Sequence, residues 1–428
     1  MSRCHSRRDI LNTGLKLAAA GSLGAGGAAG VQAREGPMHG DNALHRVDEV
    51  LRGASAKGEL PGVVALAATE SGILYEGVFG RRRLADGSAM TRDTVFRIAS
   101  MVKAITSVAA LQLVEKGKLS LEGPVPEIEP ALSEPQVLDG FSAAGAPRLR
   151  APKRPISLHH LLTHTSGFTY RLWDAKRVHY AEAVGKLPAK QRNQFPHTPL
   201  MFDPGEHWQY GPSIDWVGRI VQAVSDEPIE AYFRKNIFEP LGMKDTAFVI
   251  SAEQRRREAS VHRREADGSL LAQPVERQIP GQTFTGGGGI YSTAADYLTF
   301  LRMLMHGGAL DGVRILSPET VARMGENQIG KIEAGILKST EPLASRDIDF
   351  FPGISLKWGF GHMINMQPVA NGRSAGSLTW GGLFNTYYWI DPAKRVAAVF
   401  MTQVLPFGDE RALRIYRDFE RGIYAAVG

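Results

Sequence analysis

Two side chains in the stretch Arg97-Ile98-Ala99-Ser100-Met101-Val102-Lys103 could do chemistry together. Ser100 and Lys103 stand three residues apart where an apolar-periodic helix begins, and one helical turn places positions i and i+3 on the same face. The Lys103 amine can then reach the Ser100 hydroxyl. A serine by itself is a poor nucleophile and needs a neighbour to take its proton. A lysine does this when desolvation lowers its pKa. Backbone N–H groups at a helix start add a partial positive field beside the attacking oxygen. Serine and lysine are common residues, so the pair alone reads equally well as a helix-initiating serine and a surface lysine.

Other segments carry chemically useful residues. Trp208-Gln209-Tyr210-Gly211-Pro212-Ser213 offers a tyrosine on a loop just before a helix. Leu378-Thr379-Trp380-Gly381-Gly382 reads as a strand end with two glycines, where backbone can approach a ligand closely. Gly372-Arg373-Ser374-Ala375-Gly376 fits the G-x-S-x-G nucleophile elbow. That elbow needs a buried strand before it and a helix after it. Pro368 and Asn371 precede it and a strand-like run follows, so it reads as a hairpin turn. His160 and His164 are four apart, as in a zinc helix, but no Glu follows the first and H-E-x-x-H fails. Both read as structural, and neither metal nor cofactor is expected. Gly286 to Gly289 lacks the Lys-Ser/Thr of a phosphate loop and reads as a tight turn near the sheet. Arg81-Arg82-Arg83 reads as a solvated face.

The elements that must position these groups follow from periodicity and punctuation. Asp41 to Gly58 reads as a surface helix, with Leu44, Val47, Val50 and Leu51 on one face. Val63 to Thr69 and Ile73 to Phe79 read as a hairpin turned at Ser71-Gly72. A helix runs from Ser100 to near Gly117. From about 120 to 290, helices such as Ile156 to Thr163 and Ser213 to Val224 are joined by Pro-rich loops. Thr293 caps a helix from Ala294 to His306. Strand-like runs follow at Lys357 to Met366, Ser377 to Trp380, Thr386 to Ile390 and Val396 to Gln403, and the chain closes on a helix from Glu410 to Tyr424. Strands at both ends and helices between them predict one antiparallel sheet built from both termini, with a helical region inserted.

Composition narrows the class. The 428 residues are 43% hydrophobic and 22% charged, ordinary for a globular chain. Of the formal charge of +6, residues 1–33 hold +3, and the remainder is too mild to suggest nucleic acid. Those residues read as a twin-arginine export signal: Ser6-Arg7-Arg8-Asp9-Ile10-Leu11, a weakly apolar Leu15 to Ala29, and a small-residue cleavage site at Val31-Gln32-Ala33. The alternative is a disordered tail with a chance arginine pair. A periplasmic or secreted protein is expected, with no membrane span in the mature chain, since no later run is apolar for long enough. The lone cysteine, Cys4, lies inside the signal, which excludes cysteine hydrolases and Cys-ligated zinc.

In order and spacing, Phe96 to Lys103, Leu158 to Gly167, Trp208 to Ser213 and Leu378 to Gly382 resemble the serine β-lactamase-like superfamily. That group holds class C β-lactamases, D-alanyl-D-alanine peptidases, family VIII esterases and related fungal acyltransferases. The linking segments Phe202 to Gly205, Phe238 to Met243 and Gly286 to Asp296 fit as well. The resemblance implies an α+β fold of three layers, α/β/α, with an antiparallel sheet flanked by helices. A catalytic domain at 34–428 is expected, with sheet regions at 34–118 and 291–428 and a mainly helical region at 119–290. It implies that Ser100 is the nucleophile of S-x-x-K, that Lys103 is its partner and base, and that Tyr210 is the tyrosine of Y-x-N, passing a proton to the leaving group. Trp380-Gly381-Gly382 falls where penicillin-active members carry K-T-G, a substrate-binding strand. The N–H groups of Ser100 and Leu383 would form the oxyanion hole.

Two departures shape the functional expectation. Pro212 replaces the asparagine of Y-x-N, and Trp380 replaces the lysine of K-T-G. Both changes make the pocket less suited to an anionic β-lactam and resemble the esterase branch. The expected protein is a serine hydrolase that cleaves a small-molecule ester or amide, carboxylic esters first, through an acyl-enzyme on Ser100. Acyl transfer, or amide or β-lactam cleavage at the same site, is the alternative, and a non-catalytic penicillin-binding-like sensor is the alternative of another class.

Overall fold

A computed structural model describes residues 38–187, 197–274 and 284–428. The export-signal segment, 1–33, lies outside the described residues. The major elements in chain order are α1 (Met38–Ala56), β1 (Gly62–Thr69), β2 (Gly72–Gly80), α2 (Val102–Glu115), α3 (Leu158–Leu162), α4 (Ala175–Lys186), α5 (Ser213–Ser225) and α6 (Ala294–Met305). They continue with β3 (Leu356–Trp358), β4 (Met363–Asn365), β5 (Leu378–Gly382), β6 (Thr386–Asp391), β7 (Val396–Met401) and α7 (Glu410–Val427).

The seven strands form one sheet in the order β3-β4-β5-β6-β7-β1-β2, with every pairing antiparallel. The N-terminal hairpin docks on β7 from Val64↔Met401 to Thr69↔Val396, so both ends of the sequence complete a single sheet. Side chains alternate across it as a period of two requires. In β6, Tyr387 stacks on Tyr416 of α7 and Trp389 meets Tyr416 and Phe419 edge-on, whereas Tyr388 packs on Tyr297 of α6. Helices α1 and α7 thus cover one face, and α6 with α2 beside it covers the other. This is the three-layer arrangement expected from the sequence. No helix among the described residues is long and apolar enough to cross a membrane.

Residues 119–290 hold α3, α4 and α5, with two small hairpins, Val137–Phe141 with Pro147–Arg150 and His262–Arg264 with Leu270–Ala272. His262 and Arg263 also pair in parallel with Val404 and Leu405, which stitches this region to the end of the sheet strands.

Some boundaries differ from the periodic reading. The run Lys357 to Met366 is two strands, not one. Its middle is a hairpin because Gly359 and Gly361 press on other elements: a Cβ on Gly359 would lie 2.0 Å from the Met324 carbonyl oxygen, and Gly361 has a φ of 90° against Ser107 of α2. The helix expected over 156–163 shortens to α3, capped by Ser157 and His160 in a reciprocal capping box.

The G-x-S-x-G segment is a turn. Ser374 N–H donates to Asp391 at 2.8 Å, and the Ser374 carbonyl accepts from Asn365 and Ser377. Its Arg373 is fully buried and donates to Glu420 of α7 at 2.6 and 2.8 Å. Removing one partner of such a pair strands the other charge in the interior. Glu420→Leu is therefore expected to cost about 3–5 kcal/mol in urea unfolding, whereas a loss below about 1 kcal/mol would show that the pair does not fasten α7 to the sheet.

Candidate active site

Ser100 sits in a single 3₁₀ turn, Ala99–Met101, that runs into α2. The α-helix proper therefore starts after the serine rather than at it. The chain arrives as a short strand, Phe96–Arg97, paired with Tyr291–Ser292, and must turn at once. Ala99 takes a φ of 44°, a left-handed backbone that alanine rarely adopts, and this strained residue aims the next one. Behind the turn, Tyr297 Oη donates to the Met101 carbonyl at 2.9 Å.

Lys103 is 1% exposed. Its Nζ donates to Ser100 Oγ at 3.1 Å and to the Gly287 carbonyl at 2.7 Å. The ammonium also lies 4.9 Å from the Tyr210 ring centroid and 5.6 Å from that of Tyr170, within cation–π range of both. The spacing expected to bring Lys103 to Ser100 does so, and the distant Tyr210 ring lies beside the amine.

The glycine run does more than turn. Gly286 and Gly287 are wedged between α2 and α5, where a Cβ on the first would lie 2.4 Å from the Ile214 carbonyl oxygen and a Cβ on the second 2.3 Å from Asp215 Oδ2. Thr106 Oγ1 donates to the Gly286 carbonyl at 2.7 Å, which turns the next carbonyl toward Lys103.

Tyr210 is fixed by aromatic packing and by one hydrogen bond. Its ring lies 4.8 Å from those of His164 and Trp380 and 5.4 Å from that of Trp173, and Trp380 Nε1 donates to its Oη at 3.2 Å. Trp380 is nearly fully buried and also packs on Trp358, so it both lines the cavity and holds the phenol. Gly381 lines the cavity. Gly382 instead backs the segment that leads to Ser100, where a Cβ would lie 2.3 Å from the Ile98 carbonyl oxygen. The close approach expected of this glycine is to the protein's own backbone. Leu383 follows at the cavity wall, as Ser100 does.

Two neighbours, Tyr170 and Asp215, carried no sequence signal, and a third, His164, read only as a structural histidine. Tyr170 Oη donates to Asp215 Oδ2 at 3.1 Å, and Thr285 Oγ1 donates to the other carboxylate oxygen. Burial, then the Asp215 charge and Tyr210, push the Tyr170 phenol well above its usual range, so it stays a neutral donor. His164 is fully buried beside Tyr210 and Trp358, and burial together with the Lys103 charge holds it well below the usual imidazole range, so it is uncharged. His160, by contrast, belongs to the α3 cap and stands apart from this cluster.

These residues open on a cavity of about 540 Å³, the size of a drug-like ligand site. Leu172, Trp173, Phe284, Phe384 and Phe407 give it a largely apolar wall.

Comparison with known proteins identifies the family. The beta-lactamase family model matches residues 47–422. The chain belongs to the beta-lactamase family. Within it, this chain is 32% identical over 396 residues to a lovastatin esterase from Penicillium rubens, covering 88% of this chain and 98% of the relative. It is also 32% identical over 406 residues to a monacolin J acid methylbutanoyltransferase from Aspergillus terreus, covering 89% and 95% of the two chains. A solved variant of simvastatin synthase from Aspergillus terreus superposes with a TM-score of 0.78 at 30% identity, over 90% of this chain and 98% of that one. This beta-lactamase-family chain therefore falls in the serine hydrolase and acyltransferase class of its fold.

If Gly382 is what lets β5 seat against Ile98, Gly382→Ala should push the nucleophile turn away. Labelling of Ser100 by a fluorophosphonate is expected to slow at least about tenfold with the far-UV circular dichroism unchanged, and an unaltered labelling rate would refute the role.

Proposed function

We propose that this chain is a serine hydrolase of carboxylic esters working through an acyl-enzyme on Ser100. The observation that carries the reading is the Lys103 Nζ held 3.1 Å from Ser100 Oγ with the Tyr210 ring 4.9 Å away, all beside an apolar cavity. In the attacking state Ser100 Oγ–H donates to the unprotonated Lys103 nitrogen, and a remaining N–H keeps the Gly287 carbonyl. Oγ attacks the ester carbonyl as its proton passes to the Lys103–Tyr210 pair. The N–H groups of Ser100 and Leu383 receive the developing oxyanion, each worth about 3–4 kcal/mol in the transition state. The pair returns the proton to the departing alkoxide, and water then enters and cleaves the acyl-enzyme by the same steps in reverse order.

The residues at the two departures favour esters. Trp380 offers a single neutral N–H, already committed to Tyr210, where a lysine would hold a carboxylate. Pro212 offers no side-chain donor at all. A second acceptor is also favoured. The cavity wall is apolar enough to limit water, and relatives of similar identity are named both as an esterase and as methylbutanoyltransferases. An alcohol taking the acyl group in place of water needs no other catalytic residue. For residues 1–33 we propose twin-arginine export.

Ser100→Ala is expected to remove p-nitrophenyl ester turnover by at least about a thousandfold, and Ser374→Ala to retain most of it. Substantial turnover by Ser100→Ala would end the proposal. Nitrocefin should turn over far more slowly than the esters, and rapid cleavage would contradict the reading of Trp380 and Pro212. Adding a competing alcohol and analysing products separates hydrolysis from transfer. For the export segment, replacing Arg7 and Arg8 with lysine should leave the chain in the cytoplasmic fraction of its host cell, and unchanged export would remove that assignment.

A further inference from the structure

We propose that the cavity accepts esters that carry a carboxylate, and that Arg171 at its wall is the specificity-determining residue that reads this charge. The proposal rests on the ester-hydrolase reading above and adds the charge of the substrate to it. Two arginines, Arg97 and Arg171, line the cavity, and no aspartate or glutamate does so among the described residues. The wall is therefore positive and otherwise mostly apolar. A carboxylate entering it finds no like charge to repel it.

The two arginines are not equivalent. Arg97 is committed elsewhere. Its Nε donates to Glu258 at 3.2 Å, the two side chains are 13% and 8% exposed, and the guanidinium lies over the Tyr291 ring. Arg171 is exposed, and among the described residues no carboxylate forms an ion pair with it. A lone exposed arginine is ordinary on a protein surface. This one is different because its backbone is fastened on both sides. Tyr170 N–H donates to the Tyr210 carbonyl at 3.3 Å, and Thr340 Oγ1 and N–H donate to the carbonyls of Arg171 and Leu172 at 2.6 and 3.0 Å. Trp173 Nε1 donates to Ser345 Oγ at 2.9 Å, and Gln209 Nε2 donates to the Trp173 carbonyl at 3.0 Å.

The short turn Arg171–Trp173 is thus a fixed part of the wall. It places Arg171 at the cavity wall one residue after Tyr170, whose ring faces the Lys103 ammonium. A guanidinium can grip a carboxylate with two parallel hydrogen bonds, which a lone ammonium cannot do with the same geometry. The charge comes from the loop before α4, not from β5 where the lysine of K-T-G would stand.

The test uses the full chain and matched p-nitrophenyl esters. One set is the monoesters of glutaric, suberic and sebacic acids, and the other is the neutral esters of monoacids of equal length. A second arm places the carboxylate on the alcohol half, as in 4-acetoxybenzoate against its methyl ester. The ratio of kcat/KM for charged over neutral ester should exceed one in at least one arm. It should fall about tenfold in Arg171→Ala, further in Arg171→Glu, and recover in part in Arg171→Lys, with the change in KM rather than kcat. A ratio at or below one in both arms, or a ratio unmoved by Arg171→Ala and Arg171→Glu, overturns the proposal while leaving ester hydrolysis intact. Should no ester turn over, the hydrolase reading fails instead. Protection of Ser100 from a fluorophosphonate by suberate, compared with its dimethyl ester, then tests Arg171 alone. Stronger protection by suberate that disappears in Arg171→Ala supports it, and equal protection overturns it.

Discussion

Everything at this site depends on how an amine is kept inside the protein. A buried ammonium is costly unless polar groups replace the water it has lost. Here one hydroxyl, one carbonyl and two aromatic faces do so: Ser100, Gly287, Tyr210 and Tyr170. Each partner comes from a different part of the sequence. The requirement to seat Lys103 therefore draws α2, the loop before α5, the loop before α4 and the glycine run to a single point. The absence of side chains at Gly286 and Gly287 is what permits that approach. The strained Ala99 and the Tyr297 hydrogen bond then set the serine against the amine.

The parts of this arrangement that were legible in the sequence are those with local causes. Ser100 and Lys103 are three residues apart at a helix start, so local turn geometry brings them close. The alternating aromatics of β6 read as a strand because each face of the sheet meets a different helix. Tyr210, Trp380 and Leu383 could be placed only through the resemblance of whole segments to a known family. Tyr170 and Asp215 left no signal and His164 read only as a structural histidine, because their neighbours lie at long sequence distances and single polar or aromatic residues are unremarkable. The break between β3 and β4 was hidden for the same reason. Gly359 and Gly361 are dictated by Met324 and Ser107, not by their immediate surroundings. The start of α2 shifted because a strand pairing before it forced a sharp turn, which periodicity does not see.

The replacement of a lysine by Trp380 changes how the phenol is governed. A second cation, at the Trp380 position, would act on the Tyr210 proton through a long-range field. An indole acts through one directed N–H and through a flat surface against the ring. The aromatic cluster of Trp173, Trp358, Trp380 and Tyr210 is thereby both cavity wall and support, so changes in the shape of the wall are coupled to the aim of the Tyr210 phenol.

The pairing of the first and last helices has its own consequence. Helix α1 lies along α7, and a Cβ on Gly40 would sit only 3.6 Å from the Ala426 carbonyl oxygen. Their outer ends are near enough that a short linker could join Gly428 to Met38 at little entropic cost. Fresh ends could be opened at the exposed Ala266-Asp267 tip. A circularly permuted chain of this kind would retain every strand pairing of the sheet, with its connectivity rearranged but its architecture unchanged.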